Sequence, residues 1–192
     1  MKLTIIDYGA GNVFSVRSAF ERLGVTPKLS GNADEISSSD LVLFPGVGHA
    51  GAAMQQLRST GLDKLLPELK QPVMGICLGM QLMCESTEEG DTQGLGIFDG
   101  VRVVRFDEAL KVPHMGWNDL YDTKGFMKGI EEPVYFVHSY YATLCNWSVA
   151  KTDYPQAFSA ALEKDNFLAC QFHPEKSGLA GEAILKRFLD KA

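Results

Sequence analysis

The sequence predicts a three-layer α/β/α protein whose central sheet is mostly parallel and doubly wound, with an antiparallel extension. Two observations support this prediction. Up to about residue 84, short apolar runs alternate with segments in which apolar residues recur at helical spacing. From about residue 94 to residue 172, strand-like runs follow one another between Gly, Asp, Asn and Pro turns. Alternating strands and helices indicate parallel strands covered on both faces, whereas consecutive strands favour antiparallel pairing.

The parallel half is predicted to contain four strands, each a short apolar run. They cover residues 3–7, 25–29, 41–44 and 72–76. The first helix starts near Val13 and stops at Gly24, and a second covers residues 50–57 before an irregular helical stretch. A third helix follows the fourth strand, and its core-facing residues are expected to be Met80, Met83 and Cys84. In such a sheet, function gathers beyond the carboxyl ends of the strands.

The antiparallel half is predicted from its strand-like runs, among them residues 97–106, 134–141 and 167–172. A last helix is expected at about Gly178–Leu189, with Ile184, Leu185, Phe188 and Leu189 as its apolar face. Between these runs, PHMGWN at residues 113–118 is interpreted as a turn-like segment with a composition common in protein contacts. Composition alone leaves open whether Trp117 is simply a core residue.

Size and charge limit the possible functions. A chain of 192 residues fits a single domain, residues 1–192, by the prior of about 100–200 residues per domain. The net charge of −6 argues against nucleic-acid binding. The first apolar run is too short for a signal peptide and no run is long enough for a membrane span, which predicts a cytoplasmic protein. The four cysteines lack paired CxxC spacing, so neither a metal site nor a disulfide is expected.

The segment GICLG at residues 75–79 carries the strongest functional signal. It joins the fourth strand to a helix through a single cysteine that lies between two glycines, Gly75 and Gly79. This is the layout of a nucleophile elbow. A side chain on such a turn stands clear of the sheet, and the positive end of the following helix dipole favours a thiolate. Cys77 is therefore a candidate nucleophile.

A base for this thiol is available in QFHPE at residues 171–175. In an extended segment His173 and Glu175 would lie on the same side, and Pro174 would fix the turn between them. A cysteine with a distant histidine and carboxylate follows the logic of a catalytic triad. Either Cys77 or His173 alone could equally be a buried or structural residue, but the combination favours catalysis.

A glycine loop, PGVG at residues 45–48, follows the third strand. It could direct a backbone N–H toward a developing oxyanion, together with the N–H of Leu78, so Val47, Gly48 and Leu78 are the candidate oxyanion hole. The segment DYGAGN at residues 7–12 lacks the third glycine of a dinucleotide fingerprint. No nucleotide or other cofactor is predicted.

Together these motifs resemble the class I, triad-type glutamine amidotransferases. Within that class, four segments are similar to the glutaminase subunits of imidazole glycerol phosphate synthase, from histidine biosynthesis. They are DYGAGN at 7–12, PHMGWN at 113–118, YFVHSY at 135–140 and HPEKSG at 173–178. The resemblance covers nearly the whole chain and implies a class I amidotransferase fold.

The resemblance implies a role for each matching residue. Cys77 would attack the side-chain amide of glutamine, His173 would accept the thiol proton and protonate the leaving ammonia, and Glu175 would orient the imidazolium. The thioester would then be hydrolysed to glutamate, and the oxyanion hole would form after a peptide rearrangement near Val47. Residues at family positions around bound glutamine are Gly48, Gln81, Glu89, Ser139 and Tyr140.

The resemblance also implies a partner. The glutaminase would form a heterodimer with a cyclase subunit, a HisF-type (β/α)8 barrel, and pass ammonia to it. The cyclase would convert N′-[(5′-phosphoribulosyl)formimino]-5-aminoimidazole-4-carboxamide ribonucleotide into imidazole glycerol phosphate and aminoimidazole carboxamide ribotide, so the complex would combine hydrolase and lyase activities. Matching positions at that interface are Asn12, Trp117, Tyr135 and Lys176.

Two segments depart from the family pattern, His49-Ala50 after the glycine loop and Cys145-Asn146 where prolines are common, and both concern local loop shape. Three other functions remain open. The chain could be the glutaminase of pyridoxal phosphate, anthranilate or purine synthesis, which PHMGWN and YFVHSY disfavour. It could be a regulator that has kept the fold, or a cysteine peptidase or hydrolase, which Gln81 and Glu89 disfavour.

Overall fold

A seven-stranded sheet forms the centre of the computed structural model, which describes residues 1–9, 13–107 and 109–192. The strands are β1 (Leu3–Ile6), β2 (Lys28–Ser30), β3 (Leu41–Gly46), β4 (Val73–Cys77), β5 (Cys84–Thr87), β6 (Thr92–Gln93), β7 (Phe98–Arg105), β8 (His114–Asn118), β9 (Val134–His138), β10 (Tyr140–Ala142), β11 (Ser148–Asp153), β12 (Ala157–Lys164) and β13 (Phe167–Cys170). The helices are α1 (Val13–Arg22), α2 (Ala33–Ser37), α3 (Ala50–Thr60), α4 (Leu62–Leu65), α5 (Leu78–Met83) and α6 (Gly178–Leu189).

The main sheet has the order β11-β12-β13-β4-β3-β1-β2. Its strands from β13 to β2 are parallel, and β11, β12 and β13 pair antiparallel. This arrangement confirms the prediction of a mostly parallel sheet with an antiparallel extension. Two smaller sheets lie outside it: β10-β7-β5-β6, and the ribbon formed by β8 and β9.

The central strands are buried on both faces, which explains why they are continuous apolar runs in the sequence. Every residue of β3 and of β4 is buried. One core cluster packs α1 and α6 against the sheet, and the other contains buried residues of α3 and α5. In α6 the residues Ile184, Leu185 and Phe188 are buried as expected, whereas Leu189 is half-buried.

Several local predictions were wrong or incomplete. Strand β2 begins at Lys28 rather than at residue 25, and the unpredicted α2 begins after Asn32, whose side chain caps it by accepting the N–H groups of Asp34 and Glu35. Cys84 is buried as expected, but it begins β5 instead of ending a helix. The small strands β5 and β6 and the hairpin of β11 and β12 were not predicted.

The largest correction concerns residues 113–118. They are not a turn, because His114–Asn118 is strand β8, paired antiparallel with β9 from His114 opposite His138 to Asn118 opposite Val134. The pairing is between segments distant in the chain, so the local composition of this stretch gave a misleading signal. Among the described residues, no helix has both the length and the apolar character needed to cross a membrane.

Candidate active site

Cys77 lies at a strained turn between strand and helix. It is the last residue of β4, its backbone has φ 54° and ψ −109°, and α5 begins at the next residue. Positive φ is uncommon for a residue with a side chain and is characteristic of functional sites. The side chain is directed away from the sheet into a cavity that Cys77 lines. The predicted nucleophile elbow is therefore present in the fold.

Glycines around the elbow allow α5 to lie directly on the sheet. A Cβ at Gly79 would overlap the backbone carbonyl oxygen of Phe44 in β3, and a Cβ at Gly75 would lie 2.7 Å from Met83 Sδ. At Gly46, paired with Cys77 across the sheet, it would lie 2.8 Å from both Leu78 Cβ and the Tyr8 hydroxyl. The small residues in the motif are required by close backbone packing.

His173 and Glu175 lie against each other in a buried position beside the elbow. His173 Nδ1 donates to Glu175 Oε1 over 2.8 Å, and their side chains are only 5% and 1% exposed. The expectation of an extended segment here was wrong, because Pro174–Lys176 forms a 3₁₀ turn. The turn is attached to β9 through the His173 N–H, which donates to the Tyr135 carbonyl over 2.9 Å.

The charges around His173 favour its protonated form. Burial alone would lower the pKa of His173, but its hydrogen bonds to Cys77 and Glu175, together with the negative charges of those two groups, raise it to about 9. The Cys77 sulfur and the Glu175 carboxylate thus both act on the imidazole. A histidine in such surroundings can take a thiol proton and keep it near the sulfur.

A cavity of about 320 Å³ opens in front of Cys77. Nine of the residues predicted for catalysis, the oxyanion hole and glutamine binding line it: Val47, Gly48, Cys77, Leu78, Gln81, Glu89, Ser139, Tyr140 and His173. Glu175 lies behind His173. The fold thus brings together residues that are far apart in the chain.

Individual groups in the cavity differ in how firmly they are held. Glu89 Oε2 accepts the N–H of Ala50, at the start of α3, over 2.7 Å. Gly48 has φ 100° with open space around its Cα, and Val47 beside it is 41% exposed. Gln81 is buried, and its side-chain amide donates to the Tyr140 carbonyl over 2.9 Å.

Two buried histidines support the cavity from the β8–β9 ribbon. His138 Nδ1 lies 2.7 Å from the Tyr140 carbonyl, which can only accept, so His138 donates there. His138 Nε2 then accepts from His114 Nδ1 at 3.0 Å, and the His114 ring stacks on Tyr154 with centroids 4.0 Å apart. Burial lowers the pKa of His114 to about 4 and that of His138 to about 3, so both are neutral.

This pair should make the protein sensitive to acid. Because both histidines have folded pKa values below the unfolded value of about 6.5, the folded state is fully favoured above pH 6.5 and loses stability as the pH falls toward about 4. The expected loss is about 1 kcal/mol per pH unit for each histidine. Urea unfolding at pH 7, 6 and 5 measures it, and a His114→Phe variant should show a shallower pH dependence; an equal slope in that variant would contradict the assignment.

Of the predicted interface residues, Trp117 and Lys176 lie at the surface and Tyr135 is half-buried. Trp117 is 57% exposed, so it is not a core residue, and its ring packs edge-on against Tyr135, its cross-strand neighbour, with centroids 5.8 Å apart. Lys176 is exposed and also lines the cavity. Asn12 lies outside the described residues.

Gln171 belongs to the QFHPE motif but was not predicted as a site residue. Gln171 is fully buried, and its side-chain nitrogen lies 3.7 Å from Cys77 Sγ. The spacing offered a signal, because Gln171 precedes His173 by two residues and a side chain two residues away in an extended strand points the same way.

Comparison with known proteins agrees with this geometry. The model of the glutamine amidotransferase class-I family matches residues 4–192. The chain is 52% identical over 198 residues to imidazole glycerol phosphate synthase subunit HisH of Bacteroides thetaiotaomicron, covering 99% of this chain and 100% of that protein. It is 45% identical over 195 residues to the subunit of the same name from Escherichia coli K12, with the same coverage.

Solved structures share the fold at low sequence identity. PurLQS from Thermotoga maritima superposes with a TM-score of 0.71 at 17% identity, covering 98% of this chain and 97% of that chain. The glutaminase domain of Trypanosoma brucei CTPS with bound acivicin has a TM-score of 0.66 at 18% identity, covering 100% of this chain and 95% of that chain. These similarities concern the α/β architecture.

Proposed function

Because the chain belongs to the class-I glutamine amidotransferases and, among them, to the HisH subunits of imidazole glycerol phosphate synthase, we propose that it hydrolyses glutamine through Cys77, His173 and Glu175 and delivers the ammonia to a cyclase subunit. One observation carries the proposal: a cysteine on a strained elbow faces a histidine held by a buried carboxylate. That constellation performs acyl transfer. We also infer that residues 1–192 act as one domain.

The chemistry follows from the positions of these groups. Cys77 Sγ, as a thiolate, attacks the side-chain amide carbon of glutamine, and the carbonyl π electrons move onto oxygen. His173 then gives its proton to the amide nitrogen, the carbonyl re-forms and the C–N bond breaks. Ammonia departs, and a glutamyl thioester remains on Cys77. Neutral His173 next takes a proton from water, whose oxygen attacks the thioester carbon; glutamate leaves and the thiolate–imidazolium pair is restored.

The cavity residues have the chemistry to bind the substrate. Glu89 places a carboxylate where it can pair with the α-ammonium group of glutamine, while Gln81, Ser139 and Tyr140 line the same space. Backbone N–H groups of Leu78 and of the loop at Val47 and Gly48 would hold the oxyanion. The freedom at Gly48, where φ is positive and its surroundings are open, would let this loop change its peptide orientation.

The partner would cover the surface next to the cavity. Trp117 and Met115 are large apolar side chains that are more than half exposed on strand β8, and exposed Lys176 lines the cavity. Exposed aromatic and methionine side chains are typical of protein interfaces. Ammonia released into water is mostly protonated at neutral pH and then no longer nucleophilic. A cyclase subunit, of the (β/α)8 barrel type, docked here would keep it neutral until it reacts.

The pH profile gives a direct test of the base. Since the pKa of His173 is raised to about 9, the imidazolium is present below that pH and kcat/KM for glutamine should fall above it. Glu175→Gln removes a carboxylate that raises this pKa, so the alkaline limb should move to lower pH and kcat should fall about 10²-fold. Glu163→Gln, remote from the cavity, serves as the control; an unmoved limb in Glu175→Gln would refute the assignment.

The function itself is tested by glutamate release from glutamine. The purified chain is assayed alone, with a cyclase subunit, and with cyclase plus its ribonucleotide ligand, using Cys77→Ala as the blank. Strong release with cyclase and ligand supports the coupled glutaminase. Equal release without cyclase would indicate an amidotransferase of another pathway, and no release under any condition would argue for a regulatory protein.

A further inference from the structure

Gln171 is held beside the nucleophile by the central sheet. Strand β13 runs parallel to β4, and its last residue, Cys170, lies opposite Ile76. Gln171 follows Cys170 and Cys77 follows Ile76, so the two residues are neighbours across the sheet. The Gln171 side chain is fully buried, and its backbone N–H donates to the Ala160 carbonyl over 2.9 Å. A buried amide needs partners for its nitrogen and its oxygen, and here their arrangement has chemical consequences.

The direction of the Gln171 amide is determined by a chain of hydrogen bonds. Gln81 Nε2 lies 2.9 Å from the Tyr140 carbonyl, which can only accept, so this end of Gln81 carries the N–H groups. Its second N–H donates to Gln171 Oε1 over 3.0 Å. The oxygen of Gln171 is thereby assigned, and its NH₂ group must be the end that lies 3.7 Å from Cys77 Sγ.

The sulfur therefore has a neutral donor in addition to His173. The sulfur also lies 3.9 Å from the Val137 carbonyl oxygen, a contact that favours the thiol rather than the anion. The titratable groups that interact with Cys77 are His173, Tyr8 and Cys170. Because an N–H donor stabilises an anion more than a neutral acceptor, the Gln171 amide favours the thiolate.

We propose that Gln171 is a further catalytic residue, whose side-chain amide donates an N–H to Cys77 Sγ and stabilises the sulfur anion that attacks the substrate. The benefit of this contact to glutamine hydrolysis rests on the proposed function. The contact between Gln171 and Cys77 is present in the free enzyme and can be tested there. Gln81 is then a positioning residue as well as a lining residue, because its amide orients that of Gln171.

The test measures the reactivity of Cys77 without any substrate. The full chain is alkylated with iodoacetamide between pH 5 and 10, and modification of Cys77 is followed by mass spectrometry of its peptide, which separates it from half-buried Cys145. Gln171→Met removes the donor at similar length. Gln171→Glu keeps an oxygen for Gln81 but places an acceptor near the sulfur. Gln71→Leu is the matched control, because its amide donates only to the Ile36 carbonyl, away from the cavity.

In Gln171→Met the alkylation rate at pH 7 should fall about tenfold and the midpoint of the pH profile should rise by about one unit. Gln171→Glu should lower the alkylation rate at least as much. This variant tests the proposal if Gln171→Met does not fold. An unchanged midpoint in a folded variant, or an equal shift in Gln71→Leu, would overturn the proposal. Failure of wild-type glutamine hydrolysis would instead refute the proposed function while leaving this result intact.

Discussion

Replacing Cys77 by alanine is expected to abolish glutamine hydrolysis, lowering kcat by on the order of 10⁴-fold or more, down to background. The reason is that Cys77 stands on the elbow and acts on the imidazole of His173, and no second thiol is among the described residues that line the cavity. The fold should survive, since the side chain removed is small and the contact of α5 with the sheet depends on Gly79 and on the strand residues Gly46 and Gly75. The measurement is glutamate release in the presence of the cyclase and its ligand.

The same experiment can show the covalent step. A glutamine analogue with an electrophilic carbon in place of the amide should add its mass to the Cys77 peptide of the wild type and not to the variant. Cys145→Ala is the matched control, because this half-buried thiol lies outside the cavity and should leave both the rate and the adduct unchanged. Residual activity of Cys77→Ala above one per cent of the wild type would exclude the proposed mechanism.

Gly79→Ala is expected to lower the free energy of unfolding by about 3 kcal/mol or more. Alanine is intrinsically the better helix former by about 1 kcal/mol, so a loss must come from packing. The added Cβ would overlap the Phe44 carbonyl of β3, and backbone cannot move aside without shifting the sheet. Since α5 carries the elbow, activity should fall together with stability. Urea unfolding measures the change.

The control for this substitution is Gly129→Ala. Gly129 has a positive φ of 72° but nothing within 4 Å of its Cβ position, so alanine there costs only about 1 kcal/mol of backbone strain. A comparable loss in both variants would mean that the helix α5 can move away from β3. In that case the close approach at Gly79 would not be what holds the elbow.

Much of the fold was accessible from local patterns. The strands β1, β3 and β4 and the helices α1, α3 and α6 were predicted close to their bounds, because buried strands and amphipathic helices leave their period in the sequence. Strand β8 was not, because its mixture of aromatic, methionine and polar residues suggested a turn while its partner β9 lies about twenty residues further on. Short strands such as β5 and β6 carry too few residues for a period to show.

The candidate site shows the same division. Cys77 was predicted because an elbow is a local feature. It consists of a strand, a turn of small residues and a helix that follow one another in one stretch of the chain. Its partners His173 and Glu175 were found by residue type and motif, although the 3₁₀ turn that aligns them was not. Gln171 was missed as a site residue because a glutamine has no chemistry of its own until its amide is oriented by other groups.

The sequence by itself thus determined the fold class, and residue type with short-range spacing predicted Cys77, His173 and Glu175. The other residues around Cys77 were predicted from the resemblance to a known family. Only the tertiary structure decided which way the buried amides and imidazoles point, that Trp117 is exposed, and that a carboxylate and the cysteine sulfur together favour protonated His173. The physical reason is that hydrogen-bond direction and electrostatic environment arise from segments that meet only after folding, as where β13 brings Gln171 next to β4 and Cys77.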